Sequence, residues 1–454
     1  MYMLLKGVLL MLKKIIAGLL VCTMAGSLMA GCGNDGGSQQ GGGSTGKTAL
    51  AIWHGGAEDT DESSNHQRYL KIANNFMEAN PDYEVKVVGS VTAEKLMTAM
   101  SSGTGPDIGQ PNWVHCGQWG TEGIIADLTD FVNNDAEFDK DDIIQAAWDR
   151  CTYKGKIFSI PVAINSSELY YNKDILAEAG VEAPKTISEL VDLAVNLTTY
   201  DDKGNITRAG YIPDYPWLDN VLWPVAFGAK WIDEDTNTIT FDTPEMKAAY
   251  QWQLDIYNAI GYDKLMTFKT GLGTDAEEPF LVDKLALQFC GEWMFENIAK
   301  YRPDMNYGVT YCPYPDGKPE LEGSMFLTTT VWAMNNNSKN SKEDGWKLLS
   351  YITNKENMQE LAKGFENVGA LLSRKSALDN LPDTAAPMKK QVAQMLQDPN
   401  VDGFPMSNYI NEYLSVVADE MNKVFTPGSD YSLDQAAAKV QADVQKFADA
   451  NPVN

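Results

Sequence analysis

Short apolar runs alternate along this chain with segments whose apolar residues recur three and four positions apart. ALAIWH (49–54) reads as a buried strand. Behind it Tyr69, Ile72, Ala73, Phe76 and Met77 fall at i, i+3, i+4, i+7 and i+8, one face of a helix that Asn80–Pro81 stops. YEVKVV (83–88) returns as a strand, Thr92 stands where it can cap a helix through Met100, Gly103 and Gly105 break that helix, and PDIG begins the next extended piece. This rhythm predicts right-handed crossovers and a mostly parallel sheet, an α/β fold. Further on, Thr186 and Glu189 form a capping box ahead of Leu190, Leu193, Ala194 and Leu197. Thr243–Pro244 offers an N-cap and a first-turn proline for a helix ending at Gly261, and Ser341 caps one bearing Trp346, Leu349 and Ile352. The sequence shows no internal repeat.

The first 47 residues follow different rules. Ile15 to Ala30 is an apolar stretch behind Lys13 and Lys14, short for a spanning helix, and small residues precede Cys32. Residues 1–31 read as a secretion signal, with Met11 a second possible start. Met29-Ala30-Gly31-Cys32 resembles the bacterial lipobox, with methionine where leucine is usual, so Cys32 is expected to be acylated and to become the new N-terminus. Residues 32–47 are rich in Gly and Ser, a flexible tether reaching about 20 Å by the scaling for glycine-rich coils. Anchor and tether together place a folded body on the extracytoplasmic face of a bacterial cell membrane.

At 454 residues the chain is too long for one core, and about two or three domains are expected. Its net charge of −26 comes without any basic stripe, which argues against nucleic acid as a partner. Cys116, Cys151, Cys290 and Cys312 have no metal-type spacing, and they leave open two bridges or four buried thiols. His54, His66 and His115 form no ligand pattern, so neither a metal nor a cofactor is expected.

Several segments carry a family likeness. NNFMEANPDYEVKVV (74–88), EKLMTAMSSGTGPDIG (94–109), GKIFSIPVAINSSELYYNKDILAEAGVEAPKTISEL (155–190), CGEWMFENI (290–298), NYGVTYCPYP (306–315) and DGWKLLSYITNKENMQ (344–359) occur in this order. Together the chain resembles the extracellular solute-binding proteins of family 1, the maltose-binding-protein-like receptors of ABC importers. That resemblance implies a periplasmic-binding-protein-like fold of two discontinuous lobes with a hinge and a central cleft. The N-lobe would take 48–162 and 309–366, and the C-lobe 163–308 and 367–454. Crossings would fall near Pro161–Ile164, near Tyr307–Val309 and just before Val368–Gly369. It also implies a monomer that captures a sugar and hands it to the transmembrane subunits of an ABC permease.

Eleven tryptophans suit such a cleft, because the apolar face of a pyranose lies flat on an indole. Trp53 closes the first strand at its carboxyl end, where doubly wound sheets hold ligands, and Trp113 follows PDIG likewise. By the resemblance, Trp293 in GEW stacks on ligand and Asn165 takes the place of a carboxylate after the first crossing. Trp223 and Tyr409 complete the candidates, while Trp217, Trp231, Trp252 and Trp346 read as packing. Two competing readings are an extracellular carbohydrate-active enzyme, for which a pair such as Asp59 and Asp61 would supply the carboxylates, and the same fold binding a solute such as a polyamine. The five arginines form no anion clamp, which disfavours phosphate- or carboxylate-rich ligands. No catalytic residue is assigned.

Overall fold

In a computed structural model, the ALAIWH run is a strand, β1 (Thr48–Trp53). The structure describes residues 46–60, 64–215, 223–364, 371–381 and 387–452, with backbone alone for 360–364. The signal, Cys32 and most of the tether lie outside the described residues. Helix α1 (Asn65–Ala79) follows, capped by the Ser64 hydroxyl and ended by Asn80, with Tyr69, Ile72, Ala73 and Phe76 buried. Strand β2 (Tyr83–Val88), helix α2 (Ala93–Ser101, capped by Thr92) and strand β3 (Ile108–Gly109) complete the opening. β1 pairs in parallel with both β2 and β3, as two crossover units require.

The sheet then changes character. β4 (Ile160–Asn172) is a 13-residue strand, and beyond it come α3 (Ile187–Asn196) with its Thr186–Glu189 capping box and α4 (Pro244–Ile260) behind Thr243. β5 (Leu287–Gly291), α5 (Met294–Tyr301), β6 (Tyr307–Thr310), β7 (Met325–Met334), α6 (Lys342–Thr353, capped by Ser341), β8 (Leu371–Leu372), α7 (Pro387–Met395) and β9 (Val401–Asp402) follow. Among the described residues nine strands form one sheet, in the order β5-β4-β7-β3-β1-β2, with β6 and β8 also on β4 and β9 on β7.

The sheet is mixed, where the sequence led us to expect a mostly parallel one. β5, β6, β7 and β8 all run antiparallel to β4, and β7 is antiparallel to β3. The reason is that β4 and β7 run past each other in opposite directions rather than through one-way crossovers. The Tyr307–Val309 segment, expected to cross between lobes, forms β6 against Leu169–Asn172 at the far end of β4. The strand that bridges both regions on the return is β7, whose first residues pair with β9 and whose last pair with β3.

Three apolar clusters surround this sheet. The first joins Leu50, Ile52, Phe76, Trp332 and Leu348 and continues along the strands to Phe295 and Ile298. The second gathers Leu169, Leu190, Trp223, Trp252 and Phe289, and the third Trp231, Tyr250, Tyr409, Tyr413 and Val440. Cys116, Cys151, Cys290 and Cys312 are all free and buried, which decides the question the spacing left open.

The PDIG motif proves to be structural. Asp107, 5 % exposed, accepts hydrogen bonds from Ala51 N at 2.8 Å, Ser338 Oγ at 2.5 Å and Asn340 Nδ2 at 2.9 Å. It thereby ties β1 to the turn after β7. Asp107→Ala leaves these donors unpaired and is expected to cost about 3 kcal/mol, from the worth of hydrogen bonds to a charged group. Urea unfolding checks this, and a loss below about 0.5 kcal/mol, the scatter of ordinary surface changes, would refute it.

Candidate ligand cleft

Four of the six candidate binding residues line up through the register of the sheet. Trp53, at the carboxyl end of β1, pairs with Gly109 at the end of β3, and the chain then turns so that Gln110 N donates to Trp53 O at 3.0 Å. Asn112 caps the short 3-10 turn Trp113–His115 through Val114 N and bridges to Thr330 in β7. Thr330 lies opposite Ala163 of β4, and Thr328 opposite Asn165. Two residues further along β4, Ser167 pairs with Gly291, the last residue before the turn that carries Trp293. One continuous path along the backbone therefore leads from Trp53 through Trp113 and Asn165 to Trp293.

The exposure pattern selects one face of that path. Ala163 and Asn165 in β4, and Thr328 and Thr330 in β7, are half-buried, while the alternating Ile164, Ser166, Leu327 and Thr329 are buried. Since side chains alternate across a strand, the four half-buried positions form a single strip. Asn165 Nδ2 reaches Thr328 Oγ1 at 3.4 Å. The strip carries hydroxyls and an amide and no charge. Thr328 and Thr330 escaped the sequence reading, yet the signal was there: a Thr-Thr-Thr run inside a strand otherwise made of large apolar residues.

Trp53, Trp113 and Trp293 are each half-buried. Trp53 has the Lys95 ammonium 5.5 Å from its ring centre, and Trp113 packs against both the first and third apolar clusters. Trp293 folds back over its own turn: a Cβ on Gly291 would stand 1.9 Å from its Cζ3. The glycine of Gly-Glu-Trp is therefore required by the close approach of the indole. Tyr170 Oη fastens the same turn by donating to Gly291 O at 3.1 Å.

Trp223 and Tyr409 stand away from this path, in the second and third apolar clusters. Trp223 is 1 % exposed, edge-on to Trp252 at 4.3 Å and against Phe289 at 5.0 Å. Tyr409 is 2 % exposed and its hydroxyl donates to Asn237 Oδ1 at 3.0 Å. The Trp223 ring is enclosed by these neighbours, whereas Tyr409, though buried, borders a cavity of about 480 Å³ together with Tyr153 and Asn237. Trp231, Trp252 and Trp346 are buried as read, and Trp217 lies outside the described residues. Asp59 is exposed, and Asp61 lies outside the described residues. Cavities of about 510 and 580 Å³, around Arg150, Lys230 and Asp402, are lined by none of the strip residues. No group of three or more metal-ligating side chains occurs among the described residues.

The model for bacterial extracellular solute-binding proteins matches residues 61–359, most of the body just described. The chain belongs to that family. Among relatives of this solute-binding protein, the sn-glycerol-3-phosphate-binding periplasmic protein UgpB of Escherichia coli K12 is 24% identical over 350 residues, 73% of this chain and 76% of that protein. The maltotriose-binding protein of Pyrococcus abyssi is 24% identical over 340 residues, 70% of this chain and 65% of that one. Among solved structures, CpMnBP1 with mannobiose bound superposes with a TM-score of 0.71 at 20% identity, covering 87% of this chain and 99% of that one. The sugar-binding protein MalE of Xanthomonas citri gives 0.70 at 19% identity, covering 89% and 98%. These structures share the fold.

Next to Trp53, the solute-binding protein holds a buried histidine pair. His54 is 1 % exposed, and its Nε2 lies 2.9 Å from His66 Nδ1. Burial first, and then His66, lowers His54 to about 4, against a smaller opposing pull from Glu58. The folded state thus keeps His54 neutral where the unfolded chain takes up a proton below about pH 6.5. Its contribution is complete above that pH and is lost as pH falls toward 4, a loss of about 3 kcal/mol from 1.4 kcal/mol per pH unit. Urea unfolding of wild type and His54→Gln between about pH 7 and 4 should show the steeper decline in wild type; parallel profiles would refute the assignment.

Proposed function

We propose that this protein is the substrate-binding lipoprotein of an ABC importer, which captures a neutral sugar or oligosaccharide between two lobes and delivers it to membrane permease subunits without chemical change. The observation that carries this reading is the strip of Asn165, Thr328 and Thr330 set in line with three half-exposed indoles. Indole faces accept the apolar side of a sugar ring, and uncharged hydroxyl and amide groups bond its hydroxyls with no charge to desolvate. The names of the fold's neighbours agree, since solved structures of this fold hold mannobiose, maltotriose and α-D-tagatose. UgpB is named for a phosphorylated ligand, but a phosphate needs a cationic clamp, and the strip carries no arginine. A polyamine would need carboxylates where Asn165 and the threonines stand.

In this reading Trp53 and Trp113 belong to the N-lobe and Trp293 with Asn165 to the C-lobe, with the return crossing at β7 and not at 309. Closure brings the two sets onto one ligand, and β4 and β7 serve as the hinge strands. Cys32 is the acylated anchor and residues 32–47 the leash, which hold a monomeric body beside its permease on the outer face of the cell membrane.

Thermal unfolding of the full chain with mannobiose, maltotriose and tagatose should show saturable stabilisation by at least one of them, and chromatography should show the sugar unchanged. Turnover would reject the receptor reading. Trp293→Ala is expected to weaken binding of the stabilising sugar by about 1 to 3 kcal/mol, the worth of a large aromatic contact. Unchanged affinity in calorimetry would remove Trp293 from the site.

A further inference from the structure

On the edge of β4 that faces β5 and β8, pairing is interrupted. β8 covers Ala163 and Ile164, and β5 covers Ser167 to Tyr171. Between them Asn165 and Ser166 have no strand partner on that edge. If β5 continued, its next residue, Glu292, would pair with Ser166. Instead the chain turns away toward Trp293, and the Glu292 carboxyl accepts the Ser166 backbone N–H in place of a strand. Glu292 is 4 % exposed and one of its oxygens has no partner. On the same strand Glu168 is fully buried, directly opposite Cys290, and its carboxyl takes the Ser166 hydroxyl while its second oxygen is unpartnered. Two buried carboxyls thus flank Ser166, next to Asn165 and immediately before Trp293.

We propose that Glu292 and Glu168 are positioning residues: as neutral groups they hold the Gly291–Trp293 turn against β4, and ionisation of the pair drives the turn off and weakens sugar binding. This rests on the assignment of Trp293 to the ligand. The groups facing the pair are Tyr170 on β4, Cys290 on β5, the buried Cys312 and, from α7, Lys389. Burial pushes Glu168 up to about 8. Burial, and then the Glu168 carboxyl, drives Glu292 well above the ordinary carboxylate range, against which its own and the Ser166 N–H groups and Lys389 pull less strongly. Burial therefore favours the neutral form of both carboxyls, and ionisation at higher pH places repelling charge under the turn in a medium that screens it poorly. The titration belongs to the pair and not to either residue alone.

Two measurements on the full chain test this. The difference in tryptophan emission between wild type and Trp293→Phe isolates Trp293 without any ligand. It should titrate between about pH 7 and 9 in wild type, and stay flat over that range when the same pairing is made in a Glu168→Gln or a Glu292→Gln background. Calorimetry with mannobiose and with maltotriose should show affinity falling at least about threefold from pH 6 to pH 9 in wild type and staying constant in both variants. A flat wild-type emission difference, or a pH dependence that survives both glutamine substitutions, overturns the proposal. Should neither sugar bind, the choice of sugar fails while the emission titration still decides the role of the pair.

Discussion

A strand offers two edges, and each point along an edge hydrogen-bonds to one neighbour at a time. β4 divides both edges among four partners: β7 then β6 along one, β8 then β5 along the other. That division explains why one strand of 13 residues connects segments from residue 160 to residue 372. It also explains why the half-buried strip lies where it does. On the β8–β5 edge the partner changes at Asn165 and Ser166, where β4 has no strand beside it, while on the other edge Asn165 stays paired with Thr328 of β7.

The candidate site follows from the same division. β7 lends Thr328 and Thr330 because it is the strand beside Asn165, and β3 lends Trp113 because β7 also pairs with β3. Trp293 arrives because β5 ends opposite Ser167. Apart from Thr328 and Thr330 these residues are far apart in the chain, and backbone register rather than side-chain attraction sets their spacing. Indoles and hydroxyls in such a row can grip a ligand only as firmly as the ladder beneath them is held. The carboxylate of Asp107 at one end and the carboxyls of Glu168 and Glu292 at the other secure that ladder.

Much of the fold was legible because its signals are local. The caps at Thr92, Thr186, Thr243 and Ser341 act within one turn, and all four donate or accept as their spacing implied. The periodic face of α1 buries nearly every residue expected of it. Trp53, Trp113, Asn165 and Trp293 were legible as members of motifs. Trp223 and Tyr409 had the same chemistry and the same kind of neighbours in sequence, but a tryptophan bears no mark of whether its second face meets solvent or Phe289. Thr328 and Thr330 were passed over because hydroxyls in a strand are common, and only register puts these two beside Asn165.

The sequence by itself determined the helices, their ends, the buried strands and the family, since all of these depend on residues a few positions apart or on ordered motifs. Only the tertiary structure decided the mixed sheet, the return through β7, the free state of four cysteines and which tryptophans are fully buried. Those outcomes depend on which distant backbone segments share an edge. Hydrogen bonding along an edge is blind to side-chain identity, so no single residue announces it.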